Sequence, residues 1–176
     1  MRLLFCFILV IKFSKVSVIY RKLKLEDNPF LAKVIRNTIE EFNAPRTGTV
    51  YSDESTDHLF ELFDIPKAIL WVAEQDGVAV GCCGIYPTDG LEEGVCELVK
   101  FYISTSVRGK GIGKELMLKS IDSAKELGYT NVYLESLPHF SKAIAMYEES
   151  GFKTLDTQLG NSGHSSCNIW MLKELK

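Results

Sequence analysis

The sequence predicts a mixed α/β (α+β) fold, and three observations carry that prediction. Strand-like and helix-like patterns alternate in the order β-α-α-β-β-β-α-β-α-β-β. An Asp76-Gly77 pair lies between two apolar, β-branched runs, which is a hairpin signal. A strand-like run, CELVKFYIS, passes through the glycine-rich turn TSVRGKGIG into the helical pattern KELMLKSIDSAKEL. That strand–turn–helix unit, Cys96 to Leu127, is the stretch around which the rest of the chain is arranged.

The chain opens on Leu3 to Ile11, nine apolar residues after Met1 and Arg2. This is far short of the ~20 residues of a membrane-spanning helix. It has the length of a signal-peptide core, but Lys12, Phe13, Ser14 and Lys15 follow it in place of a small-x-small cleavage site. Residues 1–17 therefore read as an apolar N-terminal extension ahead of a single domain over residues 18–176. A start site placed too far upstream also accounts for them. Val16 to Leu23 is rich in β-branched and aromatic residues and reads as the first strand. Asp27 or Asn28 then caps a helix with Pro29 near its first position. Phe30, Leu31, Val34, Ile35, Ile39 and Phe42 recur at helical spacing and form one apolar stripe. The polar loop Asn43 to Ser55 leads to a short helix carrying Leu59, Phe60, Leu62 and Phe63.

Ile69 to Glu74 and Val78 to Tyr86 are the hairpin strands. A turn over Pro87 to Gly94 feeds the strand of the central unit. Gly128 ends the helix of that unit in a favourable C′ position. A strand over Asn131 to Ser136, a helix over Phe140 to Ser150, and strands near Phe152–Gln158 and Cys167–Leu175 complete the order.

Composition narrows the function classes. At 176 residues the chain is long enough to close a sizeable core, and 46% hydrophobic with 24% charged residues is ordinary for a globular protein. A formal net charge of −3 argues against a nucleic-acid partner, which needs a broad basic face. The five cysteines, Cys6, Cys82, Cys83, Cys96 and Cys167, have neither an even count nor metal-ligand spacing. Cys82 and Cys83 are adjacent, so on a strand they point to opposite faces and cannot chelate together. No metal is expected, and the thiols read as reduced structural residues.

The chemistry sits in the turn. Gly109, Gly111 and Gly113 stand at alternate positions directly before a helix. A helix N-terminus carries unpaired N–H groups and partial positive charge, and glycines let an anion approach those amides. Arg108, Lys110 and Lys114 add mobile positive charge. The unit therefore reads as a pyrophosphate cradle. It is not a P-loop, because Arg108 stands five before Gly113 and Glu115 follows Lys114. Nor is it a dinucleotide fingerprint, because Lys114 takes the place of the third glycine after Gly109 and Gly111.

The segment Arg108-Gly109-Lys110-Gly111-Ile112-Gly113 resembles the [QR]-x-x-G-x-[GA] element of the GNAT superfamily of N-acetyltransferases. A second motif agrees: Ala143, Ile144, Tyr147, Gly151 and Phe152 match the A-I-x-x-Y-x-x-x-G-F pattern of many members. The resemblance covers Val18 to Lys176. It implies a central, mostly antiparallel twisted sheet flanked by helices, with acetyl-coenzyme A as acyl donor held at its pyrophosphate by residues 108–114. It implies that Phe101, Tyr102 and Ile103 run beside the pantetheine arm. It also implies transfer of an acetyl group to a primary amine of a small molecule or peptide, and a cytoplasmic location where coenzyme A is available. Members are often homodimers, although no stretch here shows an interface. One departure stands out: Phe140 occupies a place where many members carry a cofactor-contacting Asn.

Two catalytic candidates follow. Tyr147 matches the tyrosine to which many members assign the general acid, and a phenol with a pKa of about 10 stays protonated at neutral pH. Its spacing alone favours a packed helix-face aromatic above Ala143 and Ile144. Glu97 is the candidate base: strand alternation sets it on the face of Val99, Phe101 and Ile103, where burial raises a carboxyl pKa. A bulge in the strand changes that face. A solvated or ion-paired carboxylate, with ordered water as the base, is the other reading. His164 and Cys167 fall in the loop LGNSGHSSCNIW, which reads as a turn shaping the acceptor pocket, since no orienting third group or ligand set accompanies them. A non-catalytic acyl-coenzyme-A sensor is the alternative function.

Overall fold

The computed structural model describes residues 17–176. The run Leu3–Ile11, Cys6 and all of the expected N-terminal extension except Ser17 lie outside the described residues. Among these residues seven strands form one sheet: β1 (Val18–Lys22), β2 (Ile69–Gln75), β3 (Val78–Tyr86), β4 (Val95–Ile103), β5 (Asn131–Ser136), β6 (Lys153–Thr154) and β7 (Ile169–Glu174). Their order across the sheet is β1-β2-β3-β4-β5-β7-β6. All neighbours are antiparallel except β4 and β5. Among the described residues four α-helices flank it: α1 (Asn28–Glu41), α2 (Leu59–Phe63), α3 (Ile112–Glu126) and α4 (Ser141–Glu149). Element order and layers agree with the sequence expectation.

Each face of the sheet has its own core. On one, Leu31, Ile35 and Ile39 of α1 and Leu59 of α2 meet Leu70, Val72 and Cys82. On the other, Leu116, Met117 and Ile121 of α3 meet Cys83, Ile85, Cys96 and Leu98. The neighbours Cys82 and Cys83 thus part to opposite faces, as the period of a strand requires. Leu31, Ile35, Leu116 and Met117 are all 0% exposed, and burying each such side chain contributes about 1.5–3 kcal/mol.

Local chemistry explains most boundaries. Asp76 and Gly77 both have positive φ, 52° and 79°, and close β2 onto β3. Asp27 occupies the N-cap position of α1, but its side chain does not cap that helix. Its carboxylate instead takes hydrogen bonds from the Arg21 guanidinium and the Lys24 N–H. Asn28 serves a different helix, its Oδ1 accepting from the Phe60 N–H at the start of α2. The final helix begins at Ser141, since Pro138–Phe140 forms a separate 3-10 turn.

Two departures from the expected strands shape the site. β6 is only two residues long, where a strand to Gln158 was expected. The chain beyond Leu155 leaves the sheet because its partners lie elsewhere: Ser162 donates to Glu135, and Gln158 donates to Glu135 as well. The second departure is a bulge in β4. Gly84 pairs with Val99 but Cys82 pairs with Tyr102, so β4 carries one extra residue there. Lys100 absorbs it with a left-handed backbone, φ 53°. Glu97 consequently does not share a face with Phe101 and Ile103, as unbroken alternation required. Phe101 and Ile103 pack with the α3 core, whereas Val99 and Tyr102 pack with the α1 core.

Candidate active site

β4 and β5 pair at Val95–Asn131, Cys96–Val132 and Glu97–Tyr133, and no further. Beyond Glu97 the two parallel strands part, and among the described residues the edge of β4 from Leu98 to Ile103 has no strand partner on that side. A cavity of about 640 Å³ follows this cleft. It runs from Gly109, Gly111 and Lys114 at the mouth of α3, past Phe101, Tyr102 and Ile103, to Glu97 at its other end.

The glycine end is built from backbone. Gly109 and Gly111 have φ of 75° and 80°, and nothing lies within 4 Å of where a Cβ would stand on either. The first helical hydrogen bond of α3 runs from the Glu115 N–H to the Gly111 carbonyl. The N–H groups from Gly109 to Lys114 therefore donate to no acceptor among the described residues. Gly113 has a different task, since a Cβ there would meet Phe101 Cζ at 3.2 Å. Open amides, an N-terminal helix dipole and an unpaired strand edge fit a diphosphate joined to an extended amide-containing arm.

Arg108 is not the mobile charge that the sequence suggested. Its Nη1 lies 2.7 Å from Glu41 Oε1, its Nε donates to the Ile103 carbonyl, and its guanidinium sits over the Phe42 ring. It ties α1 to the end of β4. Lys110 Nζ reaches the Ser106 carbonyl at 3.3 Å in an exposed position, and Lys114 lines the cavity. Phe140 packs edge-on against Phe42 and Tyr102, so this site has an aromatic wall where an Asn contact stands in many resembling proteins.

Tyr147 is 6% exposed, wedged between Phe101 and Phe152 at ring-centre distances of 5.9 and 5.8 Å. It lines the cavity, and its hydroxyl makes no hydrogen bond among the described residues. Burial pushes its phenol well above the ordinary value, so it holds its proton. The opposite end is built from side chains. Glu97 is 4% exposed and accepts a hydrogen bond from the Thr88 hydroxyl. Burial pushes its carboxyl up to about 7, against the opposing Thr88 bond.

Sequence reasoning missed the neighbours of Glu97. Asp53 Oδ2 lies 2.8 Å from His164 Nε2 and 3.6 Å from Lys100 Nζ. Burial raises the Asp53 pKa, but the hydrogen bond from His164 and the charge of Lys100 outweigh it and hold the group below its usual value. His164 thus partners Asp53 and not Cys167, whose thiol burial pushes up to about 12. Two loops close over this end: Ser166 donates its N–H to the Gly48 carbonyl and its hydroxyl to the Thr47 carbonyl. A Cβ on Gly48 would come within 2.6 Å of Ser165 Oγ, so the contact needs glycine. The sequence carried one hint, the reading of the loop LGNSGHSSCNIW as a turn shaping the acceptor pocket. Nothing in it pairs residues 111 positions apart. No group of three or more His, Cys, Asp or Glu side chains among the described residues is placed to hold a metal ion.

Comparison with known proteins agrees with this geometry. The acetyltransferase (GNAT) family model matches residues 36–152. An uncharacterized N-acetyltransferase of Escherichia coli, YjgM, is 39% identical over 160 residues, covering 90% of this chain and 96% of the relative. Among solved structures, a GNAT-family acetyltransferase of Staphylococcus aureus superposes with a TM-score of 0.80 at 20% identity, covering 91% of this chain and all of that one. A Salmonella typhimurium acetyltransferase solved with acetyl-CoA gives 0.73 at 16% identity, with 91% and 95% covered.

Proposed function

Because the chain belongs to the acetyltransferase (GNAT) family, whose members are acetyl-CoA-dependent acyltransferases, we propose that it acetylates a primary amine by direct attack in a ternary complex. One observation carries the reading: a single cleft has free amides at one end and a buried carboxyl with a pKa of about 7 at the other. Acetyl-CoA, when bound, supplies an acetyl group activated as a thioester. The amides of Gly109 to Lys114 hold its diphosphate. The unpaired edge of β4 from Phe101 to Ile103 pairs with its pantetheine arm, while Gly113 keeps α3 close against Phe101.

Glu97 takes a proton from the acceptor ammonium, directly or through one water, which leaves a neutral nitrogen lone pair to attack. A base with a pKa near 7 is ionised in a useful fraction at neutral pH and still holds a proton well. Tyr147 gives its proton to the departing sulfur as the carbon–sulfur bond breaks. Burial favours the neutral phenol before and after the step, so Tyr147 donates only as a proton returns to it from the amine. The ammonium sheds two protons on becoming an amide: Glu97 takes the first before attack, and the second, released from the acylated nitrogen, replaces on Tyr147 the proton given to sulfur.

The test is release of free coenzyme A thiol from acetyl-CoA across a panel of primary amines. Amine-dependent release, with a ternary-complex pattern of intersecting initial-rate lines, is expected. Acetyl-CoA binding without release for any amine overturns the proposal.

A further inference from the structure

Lys100 is the least comfortable residue of the cleft. Among the described residues four non-glycine positions have positive φ, and Lys100 is the one inside a strand. Such a backbone is unfavourable for a non-glycine residue. Its side chain is 5% exposed, and its ammonium lies 3.6 Å from Asp53 Oδ2, an oxygen already engaged by His164 at 2.8 Å. Asp53 is its only ion-pair partner among the described residues. A buried ammonium has three N–H groups to satisfy, and leaving them unmet is costly. The bulge that strains the backbone also aims this group into the cavity beside Glu97.

We propose that Lys100 is a specificity residue that binds a carboxylate on the acceptor, so that the acceptor is an amine bearing a carboxylate, with amino acids as the simplest class. This rests on the function proposed above. Asp53 neutralises Lys100 only in part, because His164 draws on the same oxygen, and the remaining N–H groups are free for a second carboxylate. Glu97, Asp89 and Glu135 line the same end of the cavity and favour an ammonium. A pocket with a carboxylate-binding cation next to ammonium-binding carboxylates matches a zwitterion and disfavours a simple amine. Val50, Leu62 and Tyr86 supply an apolar wall for the rest of the molecule.

The test uses amino acids paired with their carboxamides, which keep the amine and side chain but lose the anion. Two readouts are taken: thiol release, and calorimetric binding to protein saturated with coenzyme A. Wild-type protein is expected to prefer the acids by at least about 30-fold, because a buried donor left without its partner discriminates strongly. Lys100→Gln is expected to erase most of that ratio, chiefly through KM, while coenzyme A affinity stays within about threefold. Release with carboxamides at the same efficiency as acids overturns the proposal. So does Lys100→Gln lowering thermal stability with the ratio unchanged, which makes Lys100 a brace for the two loops. Lys100-dependent binding of acids without release leaves this inference standing and removes the acetyl-transfer reading. Release only with amines that lack a carboxylate does the reverse, and no binding or release of any acid overturns the inference.

Discussion

The two ends of the cleft are made in opposite ways. The glycine end uses backbone from one continuous segment, Gly109 to Lys114, and its function lies in hydrogen bonds not made within the protein. The acceptor end uses side chains from five separated places: Asp53, Thr88, Glu97 with Lys100, Glu135 and His164. Their role depends on hydrogen bonds and ion pairs that are made. On the proposed function the contrast has a physical reason. A diphosphate is an anion that backbone amides alone can meet, whereas an acceptor amine has to be read by chosen side chains.

The largest expected effect comes from placing a carboxylate among the open amides. Gly111→Asp sets a negative charge beside the anion, and coenzyme A affinity should fall at least about 100-fold by calorimetry. Gly111→Asn imposes the same left-handed backbone without the charge. It should lose less than about 10-fold, since Asn tolerates φ near +60°. Equal losses for both variants mean that shape, not charge, governs this end.

The same contrast explains what the sequence made legible. A strand, three alternate glycines and a helix are neighbours in the chain, so the strand–turn–helix unit could be read from local pattern. The fold order was equally readable, because each element carries its own period and turn residues, such as Asp76-Gly77. The acceptor end was not, since Asp53 and His164 meet only after two loops close over each other. Nor does local pattern reveal the extra residue in β4. Gly84 pairing with Val99 and Cys82 with Tyr102 is a fact about two strands, so the face of Glu97 was assigned as though the strand were regular. Arg108 misled for a related reason: its partner Glu41 lies 67 residues away.

Glu97→Gln should cut kcat/KM about 100-fold at pH 8 while sparing coenzyme A affinity, because it removes the base and keeps an acceptor for the Thr88 hydroxyl. Wild-type kcat/KM should rise with pH through a limb near 7, set by ionisation of Glu97. The variant should lack that limb. A limb that persists assigns the titration to another group, and ordered water without Glu97 becomes the base.

Tyr147→Phe is expected to lower kcat about 10- to 100-fold, with coenzyme A affinity changed less than threefold. The ring keeps its packing on Phe101 and Phe152, so the loss should appear in turnover and not in thermal stability. Unchanged kcat at saturating acceptor removes Tyr147 from the chemistry and leaves it a packed aromatic.

The smallest expected effect is on stability, and it follows from the same burial that makes Glu97 a base. Its carboxyl has a folded-state pKa of about 7 against 4.5 for the ordinary group, so between those values the folded protein holds a proton that the unfolded chain releases. Stability from this group is full below about 4.5 and is lost as pH rises through 7. Glu97→Gln cannot ionise and escapes that loss. Relative to wild type the variant should therefore gain about 2 kcal/mol between pH 5 and pH 8 in urea denaturation. A gap that does not change with pH places the Glu97 titration outside this window and removes the physical ground for its role as a base near neutrality.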